Sequence, residues 1–118
     1  MASLHRGRQT IVFDRHPVIL AHSAIAGKKE AEGPLGSYFD RTEADTRFGQ
    51  KTWEQAETRL QELALDTARQ KAPPGCGELD VLFAGDLLNQ CIGSSFAARG
   101  QDIPFFGLYG ACSTMGEG

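Results

Sequence analysis

Cys112 is the residue of this chain whose type and setting are most suited to chemistry. It follows the apolar run from Ile103 to Tyr109 and lies within Gly110-Ala111-Cys112-Ser113-Thr114. An apolar strand that ends in this way would place the sulfur where a helix begins, and the unpaired amides and positive dipole end there favour a thiolate or a bound anion. The pattern predicts an acyl-accepting nucleophile or a ligand contact, against the alternative of a small buried side chain that fits a tight corner.

A second polar segment, Gly85 to Gln90, follows the apolar run from Leu79 to Ala84. Because ligands of open α/β sheets bind at the carboxyl ends of strands, Asp86 and Asn89 are candidate ligand contacts. Asn89 offers both donors and acceptors, whereas Asp86 would repel an anionic ligand unless a water, a proton or calcium lay between them. Both residues could instead fix the loop through Asx-type hydrogen bonds.

Ser113 is a further candidate, because its hydroxyl would stand in the first turn after Cys112, although helix capping is the ordinary role of a serine there.

Nucleophilic catalysis by Cys112 would also need a base and an oxyanion donor. The histidines lie near the N-terminus in ordinary contexts, at positions 5, 16 and 22. The three cysteines lie at positions 76, 91 and 112, a spacing that fits neither a disulfide set nor a structural zinc site. We therefore predict no catalytic residue, no metal ligand and no cofactor, and a reducing compartment.

Composition places the chain among ordinary soluble domains. Its 118 residues are 41% hydrophobic and 23% charged, with a formal net charge of -3. One small domain over residues 1–118 is expected, and nucleic acid is not expected as a partner because no concentrated basic face is present. The N-terminus lacks an apolar stretch long enough for a signal peptide or a membrane span.

The periodicity predicts an α/β fold with a largely parallel sheet and right-handed crossovers. Apolar residues at helical spacing predict a helix from Lys51 to Lys71, with a capping box formed by Thr52 and Gln55. A shorter helix is predicted over residues 92–99, ended by Gly100. Strands are predicted over residues 10–13, 18–21, 79–84 and 105–109, and a surface loop over 27–39. A single shared core is predicted from Trp53, Leu60, Leu63, Val81, Leu82, Phe83, Phe105 and Leu108.

Five stretches carry a family resemblance in order along the chain: residues 9–13, 33–36, 50–54, 84–90 and 103–114. Together they resemble the stage V sporulation protein AD family, a branch of the thiolase-like superfamily. The resemblance implies a thiolase-like fold built from two similar halves, of which this chain would be part of the first. In condensing enzymes of this fold, the histidine and asparagine or paired histidines that serve the cysteine come from the second half.

The resemblance also implies a function, which is non-enzymatic binding of dipicolinic acid, with calcium as a candidate companion ion, during sporulation or germination. The implied ligand contacts are Cys112, Ser113, Asn89 and Asp86. Other stage V sporulation membrane proteins would be partners, with the protein cytoplasmic or peripheral at the inner membrane of the forespore or spore. Two alternatives remain: a thiolase-like condensing or acyl-transfer enzyme with Cys112 as nucleophile, and a scaffold that only holds membrane channel partners.

Overall fold

A computed structural model describes residues 4–76, 79–88 and 90–118 of the chain. They form a mixed α/β structure of short strands and helices, in which the principal helices are α2, Trp53–Lys71, and α3, Ile92–Arg99. Both helices match the sequence prediction closely. The side chain of Thr52 caps α2 by accepting a hydrogen bond from the Gln55 amide at 3.2 Å, as the capping box predicts.

The strands pair two by two within the described residues. β1 (Leu4–Arg6) and β2 (Thr10–Val12) form an antiparallel hairpin, whereas β3 (Ile25–Ala26) pairs in parallel with β4 (Arg41–Thr42). β5 (Leu82–Ala84) pairs in parallel with β6 (Phe105–Gly107), and Ala84 lies opposite Gly107. The prediction of parallel pairing is confirmed for two of these pairs, but each sheet has only two strands.

Two sequence predictions about local structure are wrong. Residues 18–21 form no strand, and Val18, Ile19 and Leu20 are exposed. The segment predicted as a surface loop, residues 27–39, contains the short helix α1 (Lys28–Ala31) and a 3₁₀ turn over Gly36–Tyr38. An apolar run forms a strand only where another strand pairs with it, and none of the strands in the described residues pairs with 18–21.

The best-packed region is the interface of α2 with α3. α3 turns a face of small buried residues, Gly93, Ser94, Ala97 and Ala98, inward. The Thr58 hydroxyl of α2 lies 3.2 Å from the Gly93 carbonyl oxygen and 2.9 Å from the Glu54 carbonyl oxygen of its own helix, so the two acceptors compete for its proton. A Cβ on Gly93 would lie 2.7 Å from Cγ of Glu57, so glycine is what allows this close approach.

The predicted single core is only partly present. Leu63 is buried, but Trp53, Val81 and Phe83 are 53%, 42% and 50% exposed, so the prediction is wrong for these three side chains. Leu60, Leu82, Phe105 and Leu108 are half-buried. The accessible surface of 9255 Å² well exceeds the roughly 6,300 Å² of a compact monomer of this mass. The fold therefore leaves much apolar surface uncovered.

The last strand and the turn after it position Cys112. β6 is followed by a 3₁₀ turn over Ala111–Ser113 and then by α4, Thr114–Glu117. A helix does begin beside Cys112, as predicted. The strand before it is not buried, however, because Phe106 is 62% exposed, and Tyr109, which follows the strand, is 68% exposed.

Candidate functional site

The parallel pairing of β5 with β6 brings two chain segments to one edge of the sheet. Residues 85–88, with 90 and 91 further on, follow β5 at that edge, and residues 108–113 leave β6 there. We call residues 110–113 the cysteine corner. The sequence-predicted contacts Asp86, Cys112 and Ser113 belong to these two segments, as expected for the carboxyl ends of parallel strands.

Asp86 is buried, with 6% of its surface exposed, and its carboxylate is bonded to the protein. Oδ1 accepts a hydrogen bond from the Leu88 amide at 2.9 Å. Oδ2 accepts two from Ser94, one from the amide at 2.8 Å and one from the hydroxyl at 2.7 Å. Asp86 thus ties the exit loop of β5 to the first turn of α3, which is the Asx-type role that the sequence also allowed.

Cys91 makes a second tie across the same edge. The residue is 7% exposed, and Sγ donates to the Leu108 carbonyl oxygen at 3.1 Å. Cys91 has a left-handed backbone with φ of 67°, and Gln90 before it has φ of 58°. This turn leads the chain sharply from the loop into α3.

Gly85 makes the closest approach between the loop and the segment after β6. A Cβ at this position would collide with the Leu108 carbonyl oxygen and would lie 2.7 Å from the Thr114 methyl group. The Leu108 amide is bonded to the Ala84 carbonyl at 2.9 Å. Glycine is therefore needed where the residue after β5 meets Leu108 and Thr114, on either side of the cysteine corner.

Cys112 is exposed, and Ala111 before it has a left-handed φ of 51°. The Ser113 amide donates to the Gly110 carbonyl at 3.0 Å. The Ser113 hydroxyl lies 2.7 Å from the same carbonyl and 2.5 Å from Oε1 of Glu117. Because a hydroxyl carries a single proton, these two acceptors compete for it. Ser113 therefore has a local structural role, whatever else it contacts.

Asn89, the remaining predicted contact, lies outside the described residues. The structure adds two residues that sequence reasoning missed, Ser94 and Glu117. A serine eight positions after Asp86, at the start of a predicted helix, was the available signal for the first. Glu117 stands four residues after Ser113, one helical turn further on.

Neither a metal site nor a membrane span emerges over the described ranges. Within residues 4–76, 79–88 and 90–118, no group of three or more His, Cys, Asp or Glu side chains is arranged to hold a metal ion. Over the same part of the chain, none of the helices combines the length and the apolarity that crossing a bilayer requires.

Comparison with known proteins decides the family. The family model described as "Stage V sporulation protein AD (SpoVAD)" matches residues 7–118. The chain belongs to the stage V sporulation protein AD family. It is 46% identical over 112 residues to stage V sporulation protein AD of Bacillus subtilis (strain 168). The match covers 94% of this chain and 33% of that relative, so the chain spans about a third of the relative's length.

Family membership confirms the resemblance inferred from the five motif stretches. The matched range includes the exit loop of β5 and the cysteine corner, as well as both principal helices.

Proposed function

We propose that this chain takes part in sporulation as a non-enzymatic binder of dipicolinic acid, with the cysteine corner and the adjoining exit loop of β5 as its ligand site. The observation that carries the proposal is family membership over residues 7–118, a range that contains the whole of this sheet edge. The identity of the ligand, dipicolinic acid, is what the family resemblance implies. We further propose that the chain adopts part of the first half of a thiolase-like fold.

The exposed groups at the corner suit a small polar ligand. Cys112 is accessible, whereas the space beside the Gly110 backbone is filled by the Ser113 hydroxyl and the Glu117 carboxylate. The Ser113 hydroxyl can turn from one of its two local acceptors toward a ligand carboxylate. Asp86 is bonded through both carboxylate oxygens, so we assign direct contact to Cys112 and Ser113, with Asn89 as a further contact.

The charge of Glu117 affects whether dipicolinate binds as the free dianion or together with calcium. Its carboxylate lies beside Ser113, and it would repel a free dicarboxylate. A calcium ion bound to dipicolinate would offset that repulsion, since calcium binds carboxylate oxygens readily. The described residues hold no ready-made metal cluster, so the ion would arrive with the ligand.

A titration with dipicolinic acid, with and without calcium chloride, tests the proposal. Binding should be measurable by calorimetry and stronger with calcium. Cys112→Ala should weaken it, whereas Cys76→Ala, which removes another exposed thiol, should leave it unchanged. Failure of the unsubstituted chain to bind under either condition would refute the proposed ligand.

Incubation with an acyl-coenzyme A followed by mass spectrometry tests the enzyme alternative. We expect no acyl adduct on Cys112. Covalent acylation of Cys112 together with no dipicolinic acid binding would overturn the proposal in favour of acyl transfer.

The cellular setting follows from the same proposal. The protein would act at the inner membrane of the forespore or spore, together with other stage V sporulation membrane proteins, to support transport of dipicolinic acid. Fractionation of sporulating cells tests this: recovery of the protein only in the mother-cell cytoplasm would contradict it.

A further inference from the structure

We propose that Asp86 and Ser94 are positioning residues for the cysteine corner, so that affinity for the ligand depends on a buried hydrogen-bonded pair that does not touch it. This inference rests on the proposed ligand site. It assigns a role to Ser94 and replaces the direct ligand contact expected of Asp86.

The pair is the most deeply placed polar group of the described residues. Ser94 is 1% exposed and Asp86 is 6% exposed. A carboxylate is retained in such a position only when donors compensate for its lost hydration, and Asp86 accepts from Leu88 and twice from Ser94. The Ser94 hydroxyl is 2.7 Å from Asp86 but 3.3 Å from the Cys91 carbonyl, so its proton goes to the carboxylate.

The loop that the pair anchors contacts Leu108 at both of its ends. Gly85, next to Asp86, packs directly against the Leu108 carbonyl oxygen and the Thr114 methyl group. Cys91, three residues before Ser94, donates its thiol hydrogen to the same carbonyl oxygen at 3.1 Å. Leu108 stands two residues before Gly110, where the cysteine corner begins. Displacement of the loop would therefore displace the corner.

A preformed corner binds a small ligand more tightly than a mobile one, because less conformational entropy is lost on binding. Ala111 has a left-handed backbone at φ of 51°, an arrangement that alanine adopts only when its surroundings impose it. Gly85 contacts Leu108 and Thr114, and Cys91 contacts Leu108, so the chain is held on both sides of Ala111. Asp86 and Ser94 thus act on the ligand through Leu108 rather than by contact.

The first test uses no ligand. In Asp86→Asn, one side-chain oxygen becomes an amide nitrogen, so in either orientation at least one of the three donors from Leu88 and Ser94 loses its acceptor. Amide hydrogen exchange at Leu108 and Ser113 should become about tenfold faster, because the loop would lose a buried hydrogen bond to a charged group. Asp66→Asn, at an exposed position of α2, is the matched control. Unchanged exchange at both amides would overturn the proposal.

The second test measures dipicolinic acid affinity in variants that remain folded by circular dichroism. Ser94→Ala should weaken binding at least about fivefold, in keeping with the loss of one buried hydrogen bond. Ser95→Ala, on the exposed side of α3, is the matched control. Leu63→Ala, in the core of α2, should lower global stability yet leave affinity within about twofold, which separates positioning from general destabilisation.

The outcomes distinguish the two proposals. If the unsubstituted chain binds dipicolinic acid and Ser94→Ala binds equally well, the positioning role is refuted while the proposed function stands. A weakening by Leu63→Ala as large as that by Ser94→Ala would also refute it. If the unsubstituted chain does not bind, the proposed function fails, and hydrogen exchange in Asp86→Asn still decides whether the pair holds the corner.

Discussion

The ammonium group of Lys71, the last residue of α2, lies 2.7 Å from Oδ1 of Asp40, which directly precedes β4. Oδ2 of Asp40 accepts a hydrogen bond from the Ala24 amide, just before β3, at 2.9 Å. One carboxylate therefore joins the end of the longest helix to both strands of the β3–β4 pair. The hydrogen bond from Lys71, and next that from Ala24, hold the pKa of Asp40 below its ordinary value of 3.8.

Stability should consequently depend on Asp40 in acid. A lowered folded-state pKa contributes stability that is fully present above the unfolded value of 3.8 and is lost as the pH falls through the folded value. Asp40→Asn should therefore be less stable at neutral pH and lose less stability on acidification, as measured by urea unfolding from about pH 7 to about pH 3.

Asp45 limits how much of the acid sensitivity the substitution Asp40→Asn can remove. Hydrogen bonds from the amides of Arg47 and Gly49 lower the pKa of Asp45 as well, so some acid sensitivity should remain in Asp40→Asn. Asp66→Asn serves as the control at an exposed position of α2. If Asp40→Asn and the unsubstituted chain lost equal stability between neutral pH and acid, Asp40 would have no such role.

The N-cap of α2 gives a second prediction. Thr52→Ala removes the oxygen that accepts from the Gln55 amide, and should lower the free energy of unfolding by about 1 kcal/mol. Thr52→Ser keeps a hydroxyl at the same position and should restore most of the loss. Urea unfolding followed by circular dichroism measures both variants, and equal stability of the alanine and serine variants would contradict the capping role.

The helices were predictable from the sequence because their signals are local. The apolar stripe, the Thr52 cap and the terminal Gly100 act within a few residues, and α2 and α3 lie where these signals place them. The apolar run at Val18 has high β-propensity, yet a strand needs a partner, and no sequence pattern supplies one. The burial predicted for Trp53 and Phe83 failed for a related reason, since an apolar side chain is buried only where another element covers it.

The candidate site was predictable in position but not in its internal bonding. The carboxyl ends of parallel strands had to meet, which brought Asp86 and the cysteine corner to one edge. Which partner satisfies Asp86 depends on the turn at Gln90 and Cys91, where two non-glycine residues in succession adopt a left-handed backbone. Such strained turns are imposed by tertiary packing, so the Asp86–Ser94 pair became visible only in the structure.

Two glycine-to-alanine substitutions test the close contact of Gly85 with Leu108 and Thr114. Gly85→Ala should destabilise the chain by about 2 kcal/mol, because its methyl group would overlap the Leu108 carbonyl oxygen and crowd Thr114. Gly100→Ala is the matched control, since a Cβ there meets open space and φ is -86°, so its effect should stay within about 1 kcal/mol. Equal effects of the two substitutions in urea unfolding would show that the Gly85 contact is not tight.

The uncovered face of the β5–β6 pair predicts how the isolated chain behaves in solution. Phe83 and Phe106 lie opposite each other in register with ring centroids 5.9 Å apart, and they are 50% and 62% exposed. Parallel sheets are normally covered on both faces, so this aromatic face should drive self-association and a broad thermal unfolding transition.

Replacing both phenylalanines with lysine should shift the chain toward monomer in sedimentation velocity, because like charges on the face would repel one another. Tyr38→Lys, at an 81% exposed position outside the sheet, should leave self-association unchanged. If the unsubstituted chain were a monodisperse monomer with a sharp unfolding transition, the prediction would be contradicted, because the exposed aromatic face would then not drive self-association.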